Sequence, residues 1–184
     1  MPNIYLSPSV QDQNSYVTGG NEEYYMNLIA DAMVPYLRAN NIMFARNNPA
    51  VSLSQVIEQS NADEYDLHFA LHSNSSPDNL AGILQGPDVY YYAYSTAGKQ
   101  AAKLIGDNLK KIYPDPTLVT VIPTTTLAEL RRTKAPSVLV EIAYHDNYDD
   151  AQWIENNINI IAGNLVHSLT EYFEIPFAGI EAGN

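Results

Sequence analysis

At 184 residues the chain is sized for one compact domain, and with 46% hydrophobic residues it can bury a sizeable core. Its 21 Asp and Glu against 9 Lys and Arg give a net charge of -12, which opposes nucleic acid, anionic membranes and anionic wall polymers. With no cysteine, a disulfide framework and a thiolate metal site are both excluded.

Short β-rich runs alternate with amphipathic helical patterns, which predicts an α/β layer fold. Ile4-Tyr5-Leu6 reads as a first strand ended by Ser7-Pro8-Ser9, and a polar loop follows to Asn21. From Glu22 onward, Tyr25, Leu28, Ile29, Ala32, Met33, Tyr36 and Leu37 recur at helical spacing, with Pro35 expected to kink the helix. Ile42 to Ala45 is a second strand, and Ser52-Leu53-Ser54-Gln55 looks like a capping box opening a short helix. Asp66 to Leu71 reads as a buried strand that delivers His72-Ser73-Asn74 to its C-terminal end. Val89 to Tyr94 is a tyrosine-rich strand, and residues 97 to 112 a helix closed by Pro114 and Pro116. Thr117 to Ile122 is a short strand, and Leu127 to Arg131 adds a helical turn.

Ser137-Val138-Leu139-Val140 is the clearest buried strand, with Glu141 directly after it. Asp149 to Phe173 carries apolar residues at helical spacing, as two joined helices. The expected architecture is a single-domain three-layer sandwich over residues 1–177. Its twisted, mostly parallel sheet has about six strands with helices on both faces, and 178–184 form a loose tail. The start shows no signal peptide, and no window approaches a membrane span.

Open α/β sheets form their sites where strands run out at their carboxyl ends. His72 and Glu141 each end a buried run, and Glu23 lies in the first turn of the first helix, at that same rim. One imidazole and two carboxylates make a start on a hydrolytic zinc site.

These segments resemble the zinc-dependent N-acetylmuramoyl-L-alanine amidases, of the type 3 catalytic domain, over nearly the whole chain. Asn21-Glu22-Glu23-Tyr24-Tyr25-Met26-Asn27-Leu28 is similar to the segment whose zinc-binding Glu stands four residues before an Asn-Leu pair, a register that selects Glu23 over Glu22. Leu71-His72-Ser73-Asn74 resembles the motif with a zinc-ligating His, and Pro136 to Tyr144 the segment bearing the catalytic Glu, here Glu141. Asn147 matches the family's Asn after that segment, and Arg46 stands where the family often has a Thr-Arg pair.

One departure is plain. The family's first strand runs into Asp-Pro-Gly-His, whose His is the first zinc ligand, whereas this chain has Ser7-Pro8-Ser9-Val10-Gln11. A Gln oxygen is a much poorer zinc ligand than imidazole. Three readings stay open: Gln11 or a water completes the site, another His substitutes (His145, four residues after Glu141, being preferred), or the metal is gone.

Each candidate has a plainer explanation. His72 could be a buried histidine satisfied by backbone, and Glu23 simply favoured by the helix dipole. Glu141 could pair with Arg131 or Arg132, and Arg46 could support a site carboxylate. His68 reads as structural and His167 as partly exposed, and Tyr90, Tyr91, Tyr92 and Tyr94 as sheet-builders.

The resemblance implies a peptidoglycan hydrolase that cuts between N-acetylmuramic acid and L-alanine, with Zn2+ on Glu23, His72 and a third group, for which Gln11 is the candidate at the departing motif, and Asn74 in support. Glu141 would serve as base and then acid. The rival is a non-catalytic muropeptide-binding module that has lost its metal. The expected partner is peptidoglycan or soluble muropeptide, reached through a targeting protein or as free fragments, with the cell wall as the place of action if the chain is exported or released.

Overall fold

The first apolar run becomes β1 (Asn3–Pro8) and the amphipathic segment after it α1 (Glu22–Ala39), followed by β2 (Met43–Arg46) and α2 (Leu53–Ala62). The chain continues through β3 (Leu67–Asn74), β4 (Asp88–Tyr92), α3 (Thr96–Leu109), β5 (Thr120–Thr124) and α4 (Ala128–Arg131). It closes with β6 (Ser137–Tyr144), α5 (Tyr148–Asn156) and α6 (Ile158–Tyr172). This computed structural model describes residues 1–180. The strands form one sheet in the order β2-β1-β3-β6-β4-β5. β2, β1, β3 and β6 run parallel, β4 is antiparallel to β6, and β5 is parallel to β4. The expected six-stranded, mostly parallel sheet with helices on both faces is therefore what forms.

Parallel strands are covered on both faces, so their sequences read as continuous buried runs rather than alternating ones. β3 is buried from Leu67 to Ser73, and β6 from Ser137 to Val140. On one face the large core joins Met26, Ile29, Met33 and Leu37 of α1 to Ile105 and Leu109 of α3 and to Ile161 and Leu165 of α6. On the other, a small cluster of Ala70, Leu130 and Leu139 lies under α4. The thin second layer matters for the site, because α4, packed on β6 and β4, reaches β3 through the Glu129 side chain.

Several boundaries differ from the sequence expectation for local reasons. β1 extends through Pro8, which pairs with Leu71 at the strand's end. A proline there costs no ladder bond further along. α1 runs as one helix through Pro35, which is exposed. β4 stops at Tyr92, since the Ser95 side chain accepts from Gly98 N and caps α3. β5 starts only at Thr120, because Asp115 caps a short 3-10 turn over Pro116–Leu118. The reversal into β4 requires Gly86 at φ +98, where a Cβ would stand 2.5 Å from the Leu118 carbonyl oxygen. The expected capping box at Ser52 and Gln55 is present. Of the expected loose tail, Ala178 exchanges two hydrogen bonds with Asn40 (2.6 and 2.8 Å), and residues 181–184 lie outside the described residues.

Candidate active site

His72 and Glu141 are register partners on adjacent parallel strands, so their side chains leave the same face of the sheet side by side. Asp88 of β4 is Glu141's partner on the other flank. Three neighbouring strands thus present an imidazole and two carboxylates at one level. Asn74, the expected supporting residue, donates from Nδ2 to Asp88 Oδ2 at 3.2 Å, and the Tyr144 hydroxyl donates to the same oxygen at 3.0 Å.

The loop between β1 and α1 folds over this rim. Ser9 N donates to the Leu71 carbonyl at 2.9 Å, and Glu22 N to the Asn14 carbonyl at 2.9 Å. That brings Gln11 to His72, with Nε2 3.4 Å from Nδ1. The carboxylate that reaches His72 is Glu22, not the expected Glu23: its Oε1 lies 2.9 Å from His72 Nδ1, and Glu22 is 1% exposed. Helix phase decides this. Glu22 shares a face with Met26, Ile29, Ala30, Met33 and Leu37, all buried, at offsets of four, seven, eight, eleven and fifteen. Glu23 sits one residue around the helix, half-buried, and borders a neighbouring cleft with Val10, Asp12 and Pro49.

A second carboxylate, absent from the sequence expectation, closes the other side of the imidazole. Glu129 on α4 lies with Oε2 3.2 Å from His72 Nε2 and Oε1 2.9 Å from His68 Nε2, and it also accepts from the Ser7 hydroxyl. His68 Nδ1 is 2.8 Å from Ser60 Oγ on α2. Nothing in Leu127-Ala128-Glu129-Leu130-Arg131 marks this carboxylate as buried, since its environment exists only once α4 packs on β6 and β4 and turns Glu129 toward His68 and His72.

The other expected residues are held elsewhere. Arg46 pairs with Asp31 Oδ1 at 2.6 Å and Asn27 Oδ1 at 2.6 Å, tying β2 to α1 rather than serving a site carboxylate. His145, the expected substitute ligand, is buried against Tyr16 and has Nδ1 2.9 Å from the Ser73 carbonyl oxygen, outside the His72 cluster. Asn147 caps α5, accepting from Asp149 N and Asp150 N. Arg131 and Arg132 are exposed, and neither pairs with Glu141.

The charges in this cluster set one another. Burial pushes the Glu141 carboxyl up to about 8 against the pull of His72, and the charges of Glu22, Asp88 and Glu129 add to the rise. Its Oε2 is buried without a hydrogen-bond partner. Burial alone would lower His72 and raise Glu129 and Glu22. Their mutual hydrogen bonds reverse this, holding His72 well above the usual imidazole range and both carboxylates below theirs.

These shifts predict an acid-side stability optimum for the metal-free protein. Glu22 and Glu129 have lowered values, so their contribution is present above the ordinary carboxylate range and lost as pH falls below it. Glu141 and His72 have raised values, so the folded state holds more protons than the unfolded one through neutral pH, and stability falls as pH rises toward about 8. At about 1.4 kcal/mol per pH unit for each such group, the loss is on the order of a few kcal/mol. Thermal unfolding of chelator-treated protein should show Tm highest near pH 5 and declining to about pH 8; a Tm that climbs over that range would contradict the assignment.

Among the described residues, no group of three or more His, Asp or Glu side chains is arranged to hold a metal ion. Two such donors, Glu22 and His72 Nδ1, do converge, and the third group facing them is the Gln11 amide.

Comparison with known proteins follows the same lines. AmiC2, an N-acetylmuramoyl-L-alanine amidase of Nostoc punctiforme, superposes with a TM-score of 0.82 at 17% identity, covering 94% of this chain and 97% of that one. The catalytic domain of CwlV, the amidase of Bacillus (Paenibacillus) polymyxa var. colistinus, gives 0.80 at 17%, covering 96% and 100%. The CwlD amidase of Clostridioides difficile, solved in complex with the GerS lipoprotein, gives 0.77 at 14%, covering 95% and 99%. At these identities the likeness is one of fold, and no curated protein sequence matches the chain. The sequence profile of N-acetylmuramoyl-L-alanine amidases, however, matches residues 9–171, from the loop that carries Gln11 to the end of the last helix. By that match the chain belongs to the N-acetylmuramoyl-L-alanine amidase family.

Proposed function

We propose that this protein is a peptidoglycan hydrolase that cleaves the amide bond between N-acetylmuramic acid and L-alanine, with Zn2+ held by Glu22, His72 Nδ1 and Gln11. The observation that carries this reading is the buried, unpartnered Oε2 of Glu141 standing in register beside His72, whose Nδ1 faces Glu22. A buried carboxylate oxygen without a partner is costly, and a proton taken from an attacking water would satisfy it.

The donors fit a divalent ion in kind. A carboxylate and a neutral imidazole suit zinc, and the Gln11 amide completes the set through its oxygen, which exchanges place with its nitrogen by a half-turn of the amide. Zinc there would supply Lewis acidity to the scissile carbonyl and acidify a water.

The chain's own residues do the rest. Glu141 accepts the water's proton at its carboxylate and returns it to the departing nitrogen of L-alanine. Burial raises this carboxyl in the metal-free protein, and a cation held beside it by Glu22 and His72 would favour the ionised form that accepts the proton. The low-exposure setting of His72, Glu22 and Glu129 keeps bulk water from screening the charges involved. Targeting by a partner protein belongs to the same reading, in line with the lipoprotein complex of the CwlD amidase.

One observation favours a second reading, a metal-free muropeptide-binding module. Asn14 Nδ2 donates both to Glu22 Oε2 (2.6 Å) and to Gln11 Oε1 (3.1 Å), which turns the Gln11 nitrogen toward His72. In that setting Gln11 offers a donor where a cation needs a lone pair, and a protonated His72 between two carboxylates fills the cation's electrostatic role.

The two are separated by assaying release of L-alanyl peptide from muropeptides with and without chelator, alongside calorimetric zinc titration. Chelator-sensitive release supports the hydrolase; no release together with no zinc uptake decides for the binding module. A restoring variant sharpens the comparison. Gln11→His should raise zinc affinity at least about 10-fold by replacing an amide with an imidazole, read by the same titration, and an unchanged affinity would remove Gln11 from the ligand set.

A further inference from the structure

Glu129 is nearly fully buried, lies on a helix of only four residues, and gathers donors from three other places in the chain. Its oxygens meet His72 Nε2, His68 Nε2 and the Ser7 hydroxyl. An ionised carboxylate only accepts hydrogen bonds, so the network has one consistent proton arrangement. His68 carries its proton on Nε2 and accepts from the Ser60 hydroxyl at Nδ1. His72 likewise carries a proton on Nε2, directed at Glu129. Its second nitrogen, Nδ1, meets the carboxylate of Glu22 and by the same rule carries a proton in the metal-free protein; that proton, facing Glu22 and Gln11, is the one a cation at the rim would displace, leaving the one held by Glu129.

We propose that Glu129 is a positioning residue of this site: bridging His68 and His72, it fixes the Nε2 proton of His72 and the ring's orientation so that Nδ1 is presented to the rim formed by Glu22 and Gln11. The inference rests on the hydrolase reading for its consequence, but its physical content, the proton on Nε2, stands in the metal-free protein as well. The arrangement follows the general logic by which a carboxylate on the far nitrogen sets the tautomer and basicity of a ligating imidazole. His68 acts as the brace. Anchored to α2 through Ser60 and stacked on Tyr5 with ring centroids 5.4 Å apart, it keeps the Glu129 carboxylate from swinging away from His72.

Nitrogen-15 spectra of histidine-labelled protein test this directly. In the wild-type protein, His72 Nε2 should carry a slowly exchanging proton, with or without zinc. In Glu129→Gln that proton should exchange faster, and zinc affinity should fall by about 10- to 100-fold. His68→Gln, which leaves Glu129 in place but removes its brace, should give a smaller loss in the same direction, and it carries the test if Glu129→Gln does not fold. A wild-type His72 protonated on Nδ1 and ligating zinc through Nε2 would overturn the proposal. So would a Glu129→Gln protein with an unchanged His72 spectrum and unchanged zinc affinity. Should the wild-type protein take up no zinc, the hydrolase reading fails, while the exchange rate of the Nε2 proton in the metal-free spectrum still decides for or against Glu129.

Discussion

Glu141→Gln should leave the protein folded and its zinc affinity within a few-fold of wild type, and reduce release of L-alanyl peptide by about 10³-fold. The size follows from the role. Glutamine keeps the volume and one carbonyl oxygen but cannot take up a proton. The fold should not suffer. At neutral pH in the metal-free protein the wild-type group, pushed up to about 8 by burial, is itself largely uncharged. Glutamine matches that form in charge and size. Above about pH 8 the variant should even be the more stable of the two, since it removes a carboxylate that ionises against its surroundings. Turnover assays paired with thermal unfolding at two pH values check both halves. Retained turnover would exclude Glu141 as the base; loss of turnover with collapse of the fold would make it structural.

The second large effect separates two adjacent glutamates. Glu22→Gln should weaken zinc binding by more than about 100-fold, beyond what the loss of an outer-shell partner costs. It should also destabilise the metal-free protein by about 3 kcal/mol, because His72 loses a charged partner in a buried pair. Glu23→Gln should change zinc affinity little and cost about 0.3–1 kcal/mol at most, the worth of a carboxylate near a helix N-terminus. Calorimetric titration of both variants reads this out. Equal losses, or a larger loss at Glu23, would mean that the first turn of α1 is phased differently from the arrangement described above.

That pair also shows how far the sequence could be read. The motif register picks Glu23, whereas continuing the buried face Met26-Ile29-Ala30-Met33 backward by one turn picks Glu22, a periodicity that was present in the sequence. His72 and Glu141 were legible because each ends an uninterrupted apolar run, and parallel strands ending together put such residues at one rim. Gln11 was legible only through the motif it departs from. Glu129 was not legible at all: its neighbours Arg131 and Arg132 make the segment look like a solvated turn, and only the packing of α4 on the sheet buries it. Arg46 misled for the opposite reason, since Asp31 and Asn27 two turns along α1 reach it before any site group does.

The central claim is that a divalent ion belongs between Glu22 and the Nδ1 side of His72. An anomalous difference map collected at the zinc edge from zinc-soaked crystals tests it most directly. The account predicts one strong peak within bonding distance of Glu22 Oε1 and His72 Nδ1, with the Gln11 oxygen turned toward it and Glu129 still on Nε2. A map with no peak at that rim, or with the peak on the Nε2 side against Glu129, would contradict it.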